Sequence, residues 1–240
     1  MKSTLVSSAD DNISPDLIAK FKAPATGCFI SFEGIEACGK STQLQYLQDA
    51  AQREHLKFTF VREPGSTAFG EHLRNAILAS QEALDPMAEA CLFAAARGQL
   101  LTQSVLPALQ QNQVVIADRY LDSSLAYQGM GRQLGLATIL QIHQFYPLNT
   151  LPHLTFYLRI TPELSLQRQK QRATQADYFE QQNRNFYQQL VAGYDQVAKI
   201  FPQRVVVLDG ALPPEKIFSL ILQNLKQRWP TQTWPTHEAH

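Results

Sequence analysis

Phe32-Glu33-Gly34-Ile35-Glu36-Ala37-Cys38-Gly39-Lys40-Ser41-Thr42 carries Gly34, Gly39, Lys40 and Ser41 at the spacing G-x-x-x-x-G-K-[ST]. Residue types in this pattern hold phosphate. Backbone N–H groups of the loop point inward at oxyanions, Lys40 reaches the terminal phosphates as a point charge, and the Ser41 hydroxyl is offered to Mg²⁺. Ile35, Glu36, Ala37, Cys38 and Thr42 complete the candidate cradle, and the helix that follows adds its positive dipole end. The alternative is a plain glycine turn. The setting opposes it: Cys28 to Phe32 reads as a buried strand, and Ser41 to Gln52 places Leu44, Leu47 and Ala51 on one helical face.

Working outward, short apolar runs alternate with helical patterns. Strands are expected near Cys28–Phe32, Phe58–Val61, Val114–Ala117, Leu154–Ile160 and Arg204–Leu208. Helices are expected at Ser41–Gln52, Gly70–Ala79, Pro86–Gln111, Leu136–Gln144, Pro162–Arg172, Gln182–Phe201 and Pro213–Arg228. This alternation predicts an α/β fold, a five-stranded parallel sheet flanked by helices on both faces. Residues 27–228 are expected to form a single domain. Residues 1–26, polar and Ser/Asp-rich, are expected to be a flexible arm, and 229–240, with its Trp-Pro pairs, a frayed tail.

Lys+Arg and Asp+Glu balance at 21 each in 240 residues. No large basic field invites long nucleic acid or an anionic membrane, so the expected partners are small anions. Cys28, Cys38 and Cys91 have neither framework nor zinc spacing and suit a reducing cytoplasm. No leader-like h-region and no run of eighteen apolar residues occurs.

Ligands of open parallel sheets gather at the carboxyl ends of the strands. Arg62-Glu63-Pro64-Gly65 follows the second strand; it is a turn in itself, and its Arg and Glu emerge at the ligand edge. Phe93 and Arg97 lie four apart on a helix, so a phenyl face and a guanidinium project from one side, able to stack on a base and bond its carbonyl. A core phenylalanine beside a solvated arginine is the alternative. Asp118-Arg119-Tyr120 ends the third strand: the acid is placed to reach Mg²⁺ and the arginine to bind phosphate, or the two form an ion pair capping the sheet. Ser123-Ser124-Leu125-Ala126-Tyr127-Gln128-Gly129 reads as a polar loop whose groups could surround a sugar and base. Arg168, Lys170 and Arg172 lie in a Gln-rich stretch, near 168–182, that suits a mobile lid or an ordinary solvated face.

Together, EG-x-E-x-x-GKST, REPG-x-T, LFAAAR, DRY, SSLAYQG and the arginine-bearing stretch resemble bacterial thymidylate kinases, in order from about Cys28 to about Phe218. The resemblance implies a P-loop nucleoside monophosphate kinase, usually a homodimer, making dTDP from dTMP with Mg-ATP. It assigns Lys40 and the loop backbone to the ATP phosphates, and Ser41 and Asp118 to the magnesium. Phe93 is assigned to thymine stacking, Arg97 to its carbonyl, and Arg119 to the acceptor phosphate. Ser124 and Gln128 match base contacts, Tyr127 a residue near the sugar 2′ position, and Glu36 an acid near the reacting phosphates. Arg62, Glu63 and Pro64 fall on the acceptor side. Two departures stand out. Ala37 occupies a position where relatives carry Gly or Arg, and Tyr178 stands where the lid pattern has arginine. Arg172 is the expected substitute for the missing cation, with Arg168 as the alternative. A kinase for another pyrimidine monophosphate, or a weakly active nucleotide-binding regulator, is the alternative function.

Overall fold

The computed structural model describes residues 13–80, 83–171, 179 and 183–236. The expectations for 1–12, for 237–240, and for Arg172, Tyr178 and most of the lid therefore lie outside the described residues. Strands β1 Cys28–Glu33, β2 Phe58–Arg62, β3 Val114–Asp118, β4 Leu154–Arg159 and β5 Val205–Asp209 form one parallel sheet in the order β2-β3-β1-β4-β5. The central strands are apolar on both sides because both sides are covered. Ile30, Phe32 and Ile116 enter one hydrophobic cluster, while Phe29, Val115 and Ala117 enter the other.

Helices α1 Pro15–Ile18, α2 Lys40–Arg53, α3 Ala68–Leu78, α4 Pro86–Leu100, α5 Leu106–Gln110, α6 Leu121–Ser124, α7 Leu136–Ile142, α8 Pro162–Lys170, α9 Arg184–Ile200 and α10 Pro214–Arg228 surround the sheet. The long helix expected from Pro86 to Gln111 is interrupted by a π-helical segment, Leu101–Val105. Pro107 is the cause. It offers no N–H and its ring crowds the carbonyl four residues back, so the ladder slips and the Leu106 N–H bonds the Leu101 carbonyl. The expected polar loop at Ser123–Gly129 is also corrected. It is helical, α6 running into a second π-helical segment, Leu125–Gly131. Leu121, Leu125 and Ala126 bury one side of it, and its polar side chains line a cavity rather than face water.

The described parts of the expected arm and tail, 13–26 and 229–236, are packed against the domain. In 13–26, the Ser14 side chain caps α1 by accepting from the Leu17 N–H, and Leu17 and Phe21 pack in the cluster that holds Ile139 and Leu140. Lys22 then bridges Thr150. At the other end Trp234 is 5% exposed, with its ring 5.7 Å from Phe58 and 5.8 Å from Trp229. Among the described residues, edge strand β2 has no outer neighbour, and the tail covers Phe58. No helix among the described residues is long and apolar enough to cross a membrane.

The chain leaves β1 toward one edge of the sheet and leaves β3 toward the other, so the crevice opens at the carboxyl ends of these two neighbours. The pairing Phe32↔Asp118 brings Glu33-Gly34 beside Asp118-Arg119 there. If the tail belongs to the core, Trp234→Ala costs about 3 kcal/mol of stability. This is read as a lower urea midpoint at unchanged slope; a loss under about 0.5 kcal/mol would remove the tail from the core.

Candidate active site

The loop after β1 is shaped by backbone sterics. Gly34 has φ +140°, and a Cβ there would lie 2.6 Å from the Leu158 carbonyl oxygen. Ala37 has φ +58°, a left-handed conformation that glycine adopts freely and that strains alanine. The departure noted in the sequence therefore falls where glycine is sterically preferred. The Ile35 side chain is packed in the core, so this residue offers the site only its backbone. Lys40 begins α2, and its Nζ donates to the Gly34 carbonyl at 3.2 Å and lies 3.8 Å from Cys38 Sγ.

A cavity of about 310 Å³ extends from this loop to the REPG turn and α4. At its loop end, Glu36 to Thr42 meet Asp118 and Arg119. Arg119 donates to Glu36 Oε1 and the Gly34 carbonyl, both at 3.0 Å, and to the Ser123 and Tyr194 hydroxyls, both at 3.3 Å. Tyr127 donates to the same Glu36 oxygen at 2.5 Å. Among the described residues, Glu36 Oε2 and Asp118 Oδ1 are buried with no hydrogen-bond partner, two cavity-lining carboxylate oxygens suited to a hard cation together with the Ser41 hydroxyl.

At its far end, Phe93, Arg97, Glu63, Pro64, Ser124 and Gln128 line the cavity. Arg97 is not solvated: it is 1% exposed. Its Nε and Nη2 grip Glu63 Oε2 at 2.7 and 2.6 Å, Nη2 also donates to Ser124 Oγ at 3.0 Å, and Nη1 lies 2.6 Å from His143 Nε2. The Tyr120 ring lies beneath it, 5.0 Å away. Burial pushes the Glu63 carboxyl upward from the usual range while Arg97 pulls it down. Phe93 stands 6.2 Å from Phe179, whose ring is 5.4 Å from that of Tyr127.

Arg62 is the correction among the assigned residues. It does not line the cavity; its side chain is 51% exposed and pairs with Glu71 at 2.8 Å. Alternation along the strand sends neighbours to opposite sides, so only Glu63 turns in. Arg168 donates from Nη1 to the carbonyls of Ala37 and Gly210, at 3.2 and 3.1 Å, beside a second cavity that shares Ala37, Cys38, Gly39 and Thr42.

Some residues of the site went unread in the sequence. Glu33 is fully buried, accepting from the Tyr120 N–H at 2.7 Å and the Ser123 hydroxyl at 2.6 Å; burial, with Asp122 nearby, raises its carboxyl to about 8. An acid closing an apolar strand was the available signal. Arg74 lines the cavity and bonds the Pro64 carbonyl at 3.2 Å. Tyr194 reaches in from α9, and no local pattern marked it or His143.

His143 is held as one tautomer. Arginine has no acceptor, so Nε2 must accept from Arg97, and the proton on Nδ1 goes to the Ile139 carbonyl at 2.8 Å. Burial, followed by the Arg97 charge, lowers its pKa from 6.5 to about 3. The native state therefore binds fewer protons than the unfolded one. This contribution to stability is complete above pH 6.5 and is lost as the pH falls toward about 3. Relative to His143→Gln, the parent protein is expected to lose about 2 kcal/mol between about pH 6.5 and about pH 5 in chemical denaturation. Parallel stability profiles would show that His143 protonates in the fold.

The family model Thymidylate kinase matches residues 32–221. A thymidylate kinase of Lactobacillus acidophilus is 41% identical over 207 residues, 85% of this chain and 96% of that protein. One from Onion yellows phytoplasma is 40% identical over 202 residues, 83% of this chain and 97% of that protein. Among solved structures, the crystal structure of thymidylate kinase from Ehrlichia chaffeensis superposes with a TM-score of 0.65 at 26% identity, covering 84% of this chain and 99% of that one. Matched along its core by the family model and by full-length relatives, the chain belongs to the thymidylate kinase family.

Proposed function

We propose that this chain transfers the γ-phosphoryl group of ATP to dTMP, giving dTDP and ADP. The observation that carries this reading is a single cavity with the phosphate loop at one end and the Phe93, Arg97 and Gln128 slot at the other. One site then holds donor phosphates and acceptor base with Arg119 between them.

In this reading the loop backbone and Lys40 bind the ATP phosphates. Phe93 stacks on thymine, while Arg97, Ser124 and Gln128 meet its polar edge. Tyr127 lies by the sugar 2′ position. Arg119 leaves Glu36 for the acceptor phosphate, exchanging one anion for another. Ser41, Asp118 and Glu36 form the magnesium side, and the unpartnered Glu36 and Asp118 oxygens fit that group. Bound there, magnesium supplies positive charge against the phosphate oxygens. The acceptor phosphate is already anionic, so no strong base and no covalent enzyme intermediate are required. Acceleration comes from in-line placement and charge complementarity. The family likeness also supports a homodimer working in the cytoplasm.

ADP release from Mg-ATP tests the reading with a panel of dTMP, dUMP, dCMP, UMP and AMP. The expected result is strong turnover of dTMP. A preference for another acceptor would reassign the substrate, and nucleotide binding without turnover would reject the enzyme. Arg172 is assigned the cation that the lid pattern lacks at Tyr178. Arg172→Ala should lower the single-turnover rate more than tenfold, about 1.4 kcal/mol in the barrier, and a smaller loss would leave it no transition-state role.

A further inference from the structure

Gln128 lies on the π-helical segment Leu125–Gly131 and faces the base slot. An amide can present either its oxygen or its amino group to a ligand. Here the choice is made from behind. Gln128 Nε2 donates to Glu89 Oε1 at 2.8 Å, and the two side chains are 1% and 0% exposed. Glu89 comes from the first turn of α4, outside the cavity, and is ion-paired to Arg132 at 3.2 Å. A paired carboxylate only accepts. Turning the amide over would set Oε1 against that carboxylate in a dry environment, where such a mismatch is severe.

We infer that Glu89 is a specificity-determining positioning residue: it fixes the amide sense of Gln128, so the slot takes pyrimidines with an N3–H beside a C4 carbonyl and rejects 4-aminopyrimidines. The inference rests on the base slot proposed above. With thymine or uracil, N3–H faces Gln128 Oε1 and the C4 carbonyl faces the Arg97 donors. With cytosine both pairings reverse, lone pair against lone pair and N–H against N–H. Glutamine at position 89 donates as readily as it accepts, so it would let Gln128 turn and offer cytosine N3 a donor. Arg97 would still oppose the 4-amino group, so discrimination weakens without vanishing.

The readout is the ratio of kcat/KM for dTMP to that for dCMP, measured with both substrates competing in one sample. Inactive or unfolded protein cancels from this ratio. In Glu89→Gln it should fall at least tenfold, whereas Glu89→Asp, which keeps an acceptor-only partner, should hold it within threefold. Glu89→Met, uncharged and of similar length, is read in the same way if the glutamine variant is insoluble. A fall of less than tenfold in the uncharged variant overturns the inference. Gln128→Leu separates the two levels. If it lowers the ratio and the uncharged Glu89 variant does not, Glu89 has no such role and the base slot stands; if neither lowers it, the base slot itself fails.

Discussion

The register of β1 against β3 is the constraint on which the site depends. Pairing Phe32 with Asp118 puts Glu33 and Gly34 beside Arg119, at the point where the two strands hand the chain to opposite edges of the sheet. A slip of one residue would turn every side chain to the other face. If β1 slipped, its Ile30 and Phe32 would leave their cluster for the face that Phe29 now occupies, so apolar packing on both faces holds the register. The polar groups exploit it. Arg119, itself at φ +68°, bonds the Gly34 carbonyl, and Glu33 accepts the Tyr120 N–H and the Ser123 hydroxyl. Two strand ends and the helix after β3 are thus tied into one rigid floor.

Charges so deeply placed would be a liability singly. Arg97 with Glu63, and Arg204 with Asp122, form buried pairs whose separations are 2.6 Å in each case. Exchanging such a pair for apolar residues is often neutral, but removing one partner costs about 3–5 kcal/mol because a bare buried charge remains. The first pair also holds a tool in place. Arg97 is gripped by Glu63, Ser124 and His143 before any ligand arrives, so ordering its side chain is not charged to binding. Arg204 and Asp122, with Thr155, brace the sheet beneath, away from the cavity.

The sheet was legible because burial on both faces writes continuous apolar runs, and the phosphate loop because its chemistry is local. What escaped was non-local. The helix Leu121–Gly131 looks like a loop in sequence because its hydroxyls and amides face a cavity, which composition cannot distinguish from water. Arg62 and Glu63 are neighbours, and only the pleat decides which turns inward. Phe93 and Arg97 were correctly placed on one helix face, yet the solvated alternative to Arg97 falls only when Glu63 and His143 arrive from elsewhere in the chain. The packed ends were missed for a related reason: the apolar patch Leu17–Phe21 is short and weakly amphipathic, Trp234 stands among polar residues and prolines, and the burial of both depends on α7 and on the open side of β2.

The two halves of the cavity are built on different principles, and this bears on which substitutions each tolerates. The loop half offers backbone N–H groups, which every residue except proline supplies, so alanine at 37 and cysteine at 38 leave the donors intact; Ala37 bears only the strain of its positive φ. Its selectivity is for charge, and charge is insensitive to small displacement. In the proposed site, the base half offers the Gln128 amide, whose sense is set by Glu89 from outside the cavity, and the Arg97 guanidinium, a donor in any setting, which His143 helps to hold in position. Its selectivity is for the order of donors and acceptors, which a single inverted amide reverses. On the proposed assignment, affinity for phosphate survives drift in the loop, while discrimination among bases depends on a buried residue, Glu89, that never touches the base.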